Sequence, residues 1–525
     1  MNTIFKVNDK PFFILGGQVH NSSAYSTDGL ITAWKALSLL KANTAEIPVY
    51  WEQIEPREGD FDFNNLDSII LAARDRGLRL VLLWFGTWKN GSMQYVPLWI
   101  KADPERFPRV VTHAGNLIWV LSSHSKSNWE ADRRAYCAIL EHLKEFDGNH
   151  KTVIGIQIEN EPGILGSVRD YSLEAEREYV NSVPDTLLRD LRKSVSGSIR
   201  DAWQMAGAVT SGSWDDVFGI NAAEFFTAWS IARYIDRLAE AGKGIYPISM
   251  YVNAWLKENG WQLPGTSYPS GGPSTNVLDL WKWSTRHIDL ICPDIYIENP
   301  DLFCSVCAAY QRPDNALFVP ESGNSLANSL NIFDAIAKYQ AIGYATFGVE
   351  SILNSEGEPR PEALPLIESF QSISAVLPLI RRLWGSGQIY GITQREFVSE
   401  QRIDFGDYLG LVKFGTDSHW TDFHHNQTGS SQRGRGLIFT NGAREFFLVG
   451  IGYRLLLKKK GPDRFEFSKS HDYFDAPLTH YLSVEEGHFD ENDGWVSDRV
   501  RNGDEITSGL WVAPDIGVVR ALLAG

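Results

Sequence analysis

The feature that most constrains the fold of this sequence is the alternation of short apolar runs with helical patterns over its first two-thirds. The apolar runs begin near residues 12, 44, 78, 152, 246, 288, 315 and 344. Near-continuous apolar strands joined by helical crossovers are typical of a parallel sheet that is buried on both faces. We therefore predict an α/β fold with a closed (β/α)8 barrel. A doubly wound open sheet is the alternative, but no GxGxxG segment follows an early strand to favour it.

The pattern changes after an apolar helix predicted at 364–385. Beyond it, short runs alternate apolar and polar residues and are separated by turn residues, which is typical of antiparallel strands. A chain of 525 residues is long enough for a large barrel and a second domain. We predict a barrel domain at 1–385 and a smaller antiparallel, sandwich-like β domain at 386–525.

Charge and cysteine content exclude several classes of protein. The 49 basic and 65 acidic residues give a net charge of −16, which should repel nucleic acid and anionic membranes, so we expect neither as a partner. Cys304 and Cys307 form a single CxxC, which offers too few ligands for a zinc site, and we expect no metal or cofactor. The sequence begins without an apolar signal segment and contains no run of 18 apolar residues, so we expect a cytoplasmic protein without a transmembrane helix.

Two glutamates end apolar strands of the predicted barrel. Glu161 lies in IGIQIENEPG and Glu321 in NALFVPESGN, at the ends of the fourth and seventh strands. Because barrels build their sites at the carboxyl ends of the strands, we expect these two side chains to face each other across the mouth. Such a pair suits glycoside hydrolysis, in which one carboxylic acid protonates the departing oxygen and the other carboxylate attacks the anomeric carbon. The acid then needs a raised pKa.

Further polar and aromatic side chains end predicted strands and are candidates for contact with a sugar. An abundance of tryptophan, 18 in this chain, suits the stacking of a pyranose ring on an indole. The candidates are Gln18, Trp51, Trp88, Glu159, Asn160, Asn253, Tyr296 and Glu350. In an ideal strand Glu159 and Glu161 share one face and Asn160 points to the other, but kinks at strand ends leave the direction of Asn160 open.

These segments resemble the retaining glycoside hydrolases of the large barrel clan that includes β-galactosidases, and are closest to the family 35 and family 42 type. The segments that carry the resemblance are 50–91, 154–163, 294–297 and 318–323. The end of the chain, with EEGHFDENDGWVSDRVRNGDE, resembles a β domain that follows family-35-like bacterial barrels.

The resemblance implies a role for four of the residues. Glu161 would be the acid/base and Glu321 the nucleophile, Asn160 would bind the sugar 2-hydroxyl, and Tyr296 would orient the nucleophile. The chain departs from the pattern at Pro162, where family 35 commonly has an aromatic residue. It departs again after strand eight, where the aromatic residue often expected is not obvious in ATFGVES and Glu350 stands instead.

The implied activity is that of an exo-acting retaining β-glycosidase, most favourably a β-galactosidase that removes terminal non-reducing sugars from oligosaccharides. The departures leave the sugar open, with β-glucosaminides, β-glucosides, β-mannosides and α-L-arabinopyranosides as alternatives. A barrel that binds glycans without catalysis is a further alternative. The expected partner is an oligosaccharide or glycoside substrate, and a homo-oligomer is compatible with the family.

Overall fold

The computed structural model describes residues 4–258, 262–414, 433–441, 444–460, 480–506 and 509–524. The first two-thirds of the chain form a parallel barrel, as the alternation of apolar runs predicts. A short antiparallel pair, β1 (Lys6–Val7) and β2 (Lys10–Pro11), precedes it. The barrel strands are β3 (Ile14–Gln18), β4 (Thr44–Tyr50), β5 (Arg79–Lys89), β8 (Val153–Asn160), β9 (Ser249–Trp255), β10 (Leu290–Ile295), β11 (Phe318–Val319), β12 (Glu321–Ser322) and β13 (Gly343–Phe347). The remaining pair, β6 (Arg109–Val111) and β7 (Leu117–Leu121), is an antiparallel hairpin after β5.

The barrel closes through a broken seventh strand. All its neighbouring strands are parallel, in the order β11-β13-β3-β4-β5-β8-β9-β10-β12. Pro320 separates β11, which pairs with β13, from β12, which pairs with β10. A proline cannot donate to the ladder, so the seventh strand changes partner at this residue and joins the two ends of the sheet. Glu321 follows the break immediately.

Helices cover the outside of the barrel. They are α1 (Ile31–Leu40), α2 (Trp51–Ile54), α3 (Asn64–Asp75), α4 (Leu98–Lys101), α5 (Lys126–Phe146), α6 (Leu173–Tyr179), α7 (Asp185–Lys193), α8 (Ser198–Met205), α9 (Trp214–Phe218), α10 (Ala222–Ile245), α11 (Leu278–Ser284), α12 (Pro300–Tyr310), α13 (Leu326–Ala337), α14 (Leu364–Ala375) and α15 (Leu377–Leu383). Helices α6 to α9 belong to the long insertion between β8 and α10. Of the two longest helices, α5 packs on β5 and α10 on β8, the strand that Glu161 follows.

The apolar helix predicted at 364–385 is two helices rather than one. Helix α14 ends at Ala375 and α15 begins at Leu377, with a 60° bend between them. Pro378 lacks an N–H and its ring excludes a helical carbonyl at Ser374, which ends the first helix. Across the ranges that the structure describes, no single helix is long and apolar enough to cross a bilayer. By length and composition alone, this bent pair passes the same test.

The C-terminal region is antiparallel, as predicted. One sheet has the order β14-β17-β18-β23-β20-β21 and the other β15-β16-β19-β22. Their strands are β14 (Ile389–Thr393), β15 (Glu400–Asp404), β16 (Tyr408–Phe414), β17 (Arg435–Thr440), β18 (Glu445–Ile451), β19 (Tyr453–Lys459), β20 (Tyr481–Phe489), β21 (Trp495–Val500), β22 (Leu510–Trp511) and β23 (Val518–Leu523), with one helical turn, α16 (Gly503–Ile506). Side chains from both sheets, such as Ile438 and Val412, share one apolar core, so the two sheets form a sandwich.

The sandwich packs on the barrel helices. Leu437, Phe439 and Phe447 belong to the same apolar cluster as the barrel and α14. Arg435 is fully buried at this contact, where it donates to Glu368 Oε2 at 2.6 Å and to Ser369 Oγ at 2.9 Å. The domain boundary at residue 385 stays a prediction; residue 385 itself lies between α15 and β14.

Candidate active site

Glu161 and Glu321 meet at the mouth of the barrel. Glu161 directly follows β8, and Glu321 opens β12 on the opposite side of β9 and β10. Their carboxylate oxygens lie within 4.8 Å of each other and both side chains are buried. Closure of the barrel has therefore joined two residues that are far apart in the sequence.

Three side chains donate hydrogen bonds to Glu321. The Gln18 amide donates to Oε1 at 2.9 Å and the Tyr296 hydroxyl to Oε2 at 2.7 Å. The Asn253 amide is 3.4 Å from Oε1. Gln18, Asn253 and Tyr296 come from or follow the first, fifth and sixth barrel strands, so three separate strand ends fix one carboxylate. Donors on both oxygens hold the carboxyl group in one orientation.

Asn253 connects the two glutamates. Its Oδ1 accepts the backbone N–H of Glu161 at 2.7 Å, which directs the amide nitrogen to the other side. That nitrogen donates to Asp294 Oδ2 at 2.7 Å and faces Glu321. The two hydrogen-bonding ends of an amide differ, so these contacts determine its orientation.

Asp294 is a third buried carboxyl group in the centre, which we did not predict from the sequence. It lies on β10 in register with Glu321, and its side chain forms a hydrogen bond with Glu161. No nitrogen or hydroxyl of the described residues donates to Asp294 Oδ1. Burial, followed by the charges of Glu321 and Glu161, raises its pKa well above the usual range. Its position two residues before Tyr296 at the end of an apolar strand was the signal available.

The environment of Glu161 suits a general acid. Burial and then the negative charge of Glu321 raise its pKa to about 8, while the nearby Lys89 cation opposes the rise. Glu161 is therefore protonated at neutral pH in the free protein. Lys89 lies at the end of β5, opposite Asn160.

The backbone kinks where β8 ends. Glu159 has φ 63° and Glu161 has φ 45°, both in the left-handed region, at a cost of about 1–3 kcal/mol each for residues other than glycine. Asn160, between them, is fully buried and lies 3.2 Å from Asn90 Oδ1 through its amide nitrogen. Its Oδ1 accepts from Gln157 at 3.1 Å and is 3.5 Å from the Asn253 amide. The kink thus brings Asn160 toward the same centre as Glu161.

Glu159 does not join them. Its Oε2 accepts the backbone N–H of Trp88 at 2.7 Å, and the carboxyl group faces Asp132 of α5, on the helix side of the sheet. The side chain is fully buried. This placement differs from the substrate contact that we predicted for Glu159.

Trp88 and Trp51 are also fully buried, each against another aromatic ring. Trp88 is fully buried and meets Tyr234 of α10 edge to face at 4.9 Å. Trp51 is fully buried, with its ring 6.1 Å from that of Trp84 and its indole N–H bound to Glu55 at 3.0 Å. In this structure both have packing roles instead of the predicted substrate contacts.

An aromatic residue lies at the end of the eighth strand, although the sequence did not make one evident there. Phe347, the last residue of β13, meets the rings of Tyr296 and His20 edge to face. Tyr296 itself is 43% exposed, so this aromatic group borders solvent beside Glu321. Glu350 follows on a short 3-10 turn and accepts the backbone N–H of His20 at 3.1 Å. Phe347 therefore supplies an aromatic residue at the end of strand eight, within ATFGVES.

Below the mouth, the barrel interior is polar. Glu46 of β4 is fully buried, and its Oε2 accepts a hydrogen bond from the Tyr251 hydroxyl at 3.4 Å. Burial and the charge of Glu321 raise the pKa of Glu46. An uncharged Glu46 leaves the negative charge of the centre on Glu321.

The trio Glu161, Asp294 and Glu321 is also the one group in the described ranges close enough to hold a metal ion. The hydrogen bond between Glu161 and Asp294 offers another explanation for their closeness, because two carboxyl groups joined by a hydrogen bond need no cation between them. The arrangement can supply one carboxylic acid and one carboxylate to a bond placed between them.

Two parts of the chain match known family models. Residues 32–219 match the family model for glycoside hydrolase family 42, described as beta-galactosidase, and residues 366–513 match a domain of unknown function, DUF5597. The first match includes Asn160 and Glu161. The resemblance indicated by the strand-end motifs is thus confirmed.

The alignments with similar proteins cover only part of each of those proteins. Beta-galactosidase BgaA of Clostridium cellulovorans is 29% identical over 170 residues, which cover 31% of this chain and 24% of that protein. A beta-galactosidase of Xanthomonas manihotis is 27% identical over 201 residues, which cover 35% and 30%. The solved beta-galactosidase from Bacillus circulans sp. alkalophilus superposes with a TM-score of 0.50 at 15% identity, over 72% of this chain and 58% of that one, and supports the fold. The alignments span less than a third of either curated relative.

Proposed function

We propose that this chain is a retaining exo-β-glycosidase of the family 35 and family 42 type, with a terminal β-galactoside as its substrate. The observation that carries the proposal is the pair of buried carboxyl groups, Glu161 and Glu321, whose oxygens lie within 4.8 Å. Retaining enzymes place the two groups about 5–5.5 Å apart, whereas inverting enzymes need about 6.5–9.5 Å to admit water. The spacing therefore favours direct attack by a carboxylate.

In the first step Glu321 attacks the anomeric carbon. Gln18 and Tyr296 donate hydrogen bonds to its two oxygens, which orients the attacking carboxylate. Glu161 gives its proton to the glycosidic oxygen as the bond to the leaving group breaks. A glycosyl ester on Glu321 and a carboxylate on Glu161 result.

In the second step water releases the sugar. Esterification removes the charge of Glu321, which is one cause of the high pKa of Glu161. The pKa of Glu161 falls as a result, and its carboxylate takes a proton from the attacking water. Glu321 leaves as a carboxylate, so both groups return to their starting states.

The choice of a galactoside is supported by the family 42 match and by the two curated relatives, which are named beta-galactosidases. The contacts described above fix the carboxylates and leave the sugar's hydroxyl pattern to other side chains. A different β-glycoside would keep Glu161 and Glu321 in the same roles.

A panel of nitrophenyl glycosides tests the proposal, with the Glu321→Ala protein as the blank. We expect galactoside hydrolysis that is absent from the blank. Hydrolysis of another β-glycoside would overturn the sugar alone. If the protein hydrolyses none of the glycosides in the panel but binds glycans, a binding protein would be favoured.

Azide tests the role of the nucleophile separately. In Glu321→Gly, azide can enter the vacated space and attack the anomeric carbon, so we expect activity to return with an inverted glycosyl azide as product. Glu161→Ala should instead give the retained azide from a substrate with a good leaving group. The opposite stereochemical results would reverse the two assignments.

A further inference from the structure

The end of β5 bulges away from β8 beside the candidate catalytic residues. Trp84 pairs with Ile158 and Lys89 pairs with Asn160, so four residues of β5 stand opposite Glu159 alone. Bulged residues lose their partners in the strand ladder, so their backbone N–H groups need other acceptors. The Glu159 carboxyl group supplies one, accepting the N–H of Trp88 and that of Thr87.

Asp132 holds the same bulge from the helix side. Its Oδ1 accepts the Trp84 indole N–H at 2.9 Å. Its Oδ2 accepts the Thr87 hydroxyl at 2.7 Å and the Tyr234 hydroxyl at 3.0 Å. Three donors on two oxygens fit an ionised carboxylate in a fully buried position.

Glu159 and Asp132 also form a hydrogen bond with each other. No donor of the described residues reaches Glu159 Oε1, and Asp132 has no proton left to offer if its oxygens accept three donors. A proton on Glu159 Oε1 satisfies both groups, because it makes Glu159 the donor to Asp132. Burial and the Asp132 charge raise the pKa of Glu159, which agrees with this assignment.

We propose that Glu159 is a neutral positioning residue, whose proton bound to Asp132 ties the β5 bulge to the kinked end of β8 and thereby aims Asn160 and Glu161. The inference rests on the proposed glycosidase function. Glu159 and Glu161 both have positive φ, so the intervening peptide groups have little freedom once the Glu159 side chain is held at the bulge. Loss of that hold should move the acid, while Glu321 keeps its own donors.

A glutamine at position 159 tests the protonation state. Its amide can accept from the Trp88 N–H and donate to Asp132, as a protonated glutamate does. We expect Glu159→Gln to keep kcat/KM within about threefold of wild type. Asp132→Asn is the matched contrast in the same contact, because its amide nitrogen cannot accept the donors that Asp132 binds. We expect the kcat/KM of Asp132→Asn to fall below that of wild type. A Glu159→Gln protein as impaired as Glu159→Leu would overturn the proposal.

The leaving group tests the positioning. In Glu159→Leu we expect kcat/KM to fall by about 100-fold on a glycoside with a poor leaving group, which needs protonation by Glu161. A dinitrophenyl glycoside needs no such protonation, so its kcat/KM should change little. Equal losses on both substrates, or no loss on either, would contradict a role in aiming the acid.

Infrared spectroscopy separates this inference from the proposed function. A protonated buried carboxyl group has a C=O stretch that a carboxylate lacks, and Glu159→Gln should remove one such band. An unchanged band pattern would overturn the neutral Glu159. If wild type hydrolyses no glycoside, the proposed function fails, while this measurement still decides where the proton lies.

Discussion

The carboxyl groups of Asp294 and Glu161 share a hydrogen bond at the mouth of the barrel, beside the carboxylate of Glu321. Asn253 donates to Oδ2 of Asp294 and accepts the backbone N–H of Glu161. The catalytic centre that we propose therefore contains three acids in one hydrogen-bonded group. Since burial and mutual repulsion disfavour three charges, a neutral Asp294 can steady Glu161 after Glu161 has given up its proton.

Substitution of Asp294 should separate its shape from its charge. In Asp294→Asn the amide can accept from Asn253 and donate to Glu161, so we expect kcat to stay within about tenfold of wild type. Asp294→Ala should lower kcat by about 100-fold, because Asn253 and Glu161 both lose a partner. Steady-state kinetics on an aryl galactoside measure both. Equal damage in the two variants would mean that Asp294 acts as an anion.

The pH profile should report the acid. Because Glu161 must be protonated to donate and has a pKa of about 8, kcat/KM should fall as the pH rises through about 8. Lys89 opposes the rise in that pKa, so Lys89→Met should move the fall to higher pH. In Glu161→Ala, measured on a dinitrophenyl glycoside, the alkaline limb should disappear. A limb that persists unchanged in Glu161→Ala would assign it to another group.

Tyr296 should contribute through its hydroxyl group. Tyr296→Phe removes the donor 2.7 Å from Glu321 Oε2 but keeps the ring beside Phe347. A hydrogen bond to a charged group is worth about 1.5–3 kcal/mol, so we expect kcat to fall by about 10- to 100-fold. Phe347→Leu is the matched variant, since it changes the rim and spares the donor, and it should act on KM. An effect of Tyr296→Phe on KM alone would assign the hydroxyl to substrate binding.

Arg435 should join the sandwich to the barrel. Arg435→Met leaves Glu368 without the guanidinium that lies 2.6 Å away in a buried contact, and we expect a loss of about 3 kcal/mol. Arg402→Met breaks an exposed ion pair with Glu400 in the same sandwich and should change stability little. Thermal unfolding midpoints compare the two variants. Equal midpoints would show that the Arg435 contact contributes nothing to stability.

Much of the fold followed from local pattern. Continuous apolar runs predicted the parallel strands, because both faces of such a sheet are covered. Runs that alternate apolar and polar residues predicted the sandwich, because only one face of each sheet is covered. Prolines set the details. Pro378 divided a helix that was predicted as one, and Pro320 divided the seventh strand at the point where the barrel closes.

The position of the candidate site followed from the strand ends. Glu161 and Glu321 each end an apolar run, and the carboxyl ends of parallel strands in a barrel open at one face. Sequence order therefore sufficed to predict which residue types gather there. It also predicted Gln18, Asn160, Asn253 and Tyr296, each of which lies in the hydrogen-bonded group around the two glutamates.

Side-chain direction was decided by the tertiary structure. Glu159 and Glu161 share a face in an ideal strand, yet two left-handed residues and the β5 bulge turn Glu159 toward Asp132 and leave Glu161 at the mouth. Asp294 lies in the centre because its strand places it in register with Glu321. Trp51 packs against Trp84 instead of facing the mouth as predicted. Such outcomes depend on partners distant in sequence. A linear pattern specifies which residues end a strand, whereas three-dimensional packing specifies what each of them meets.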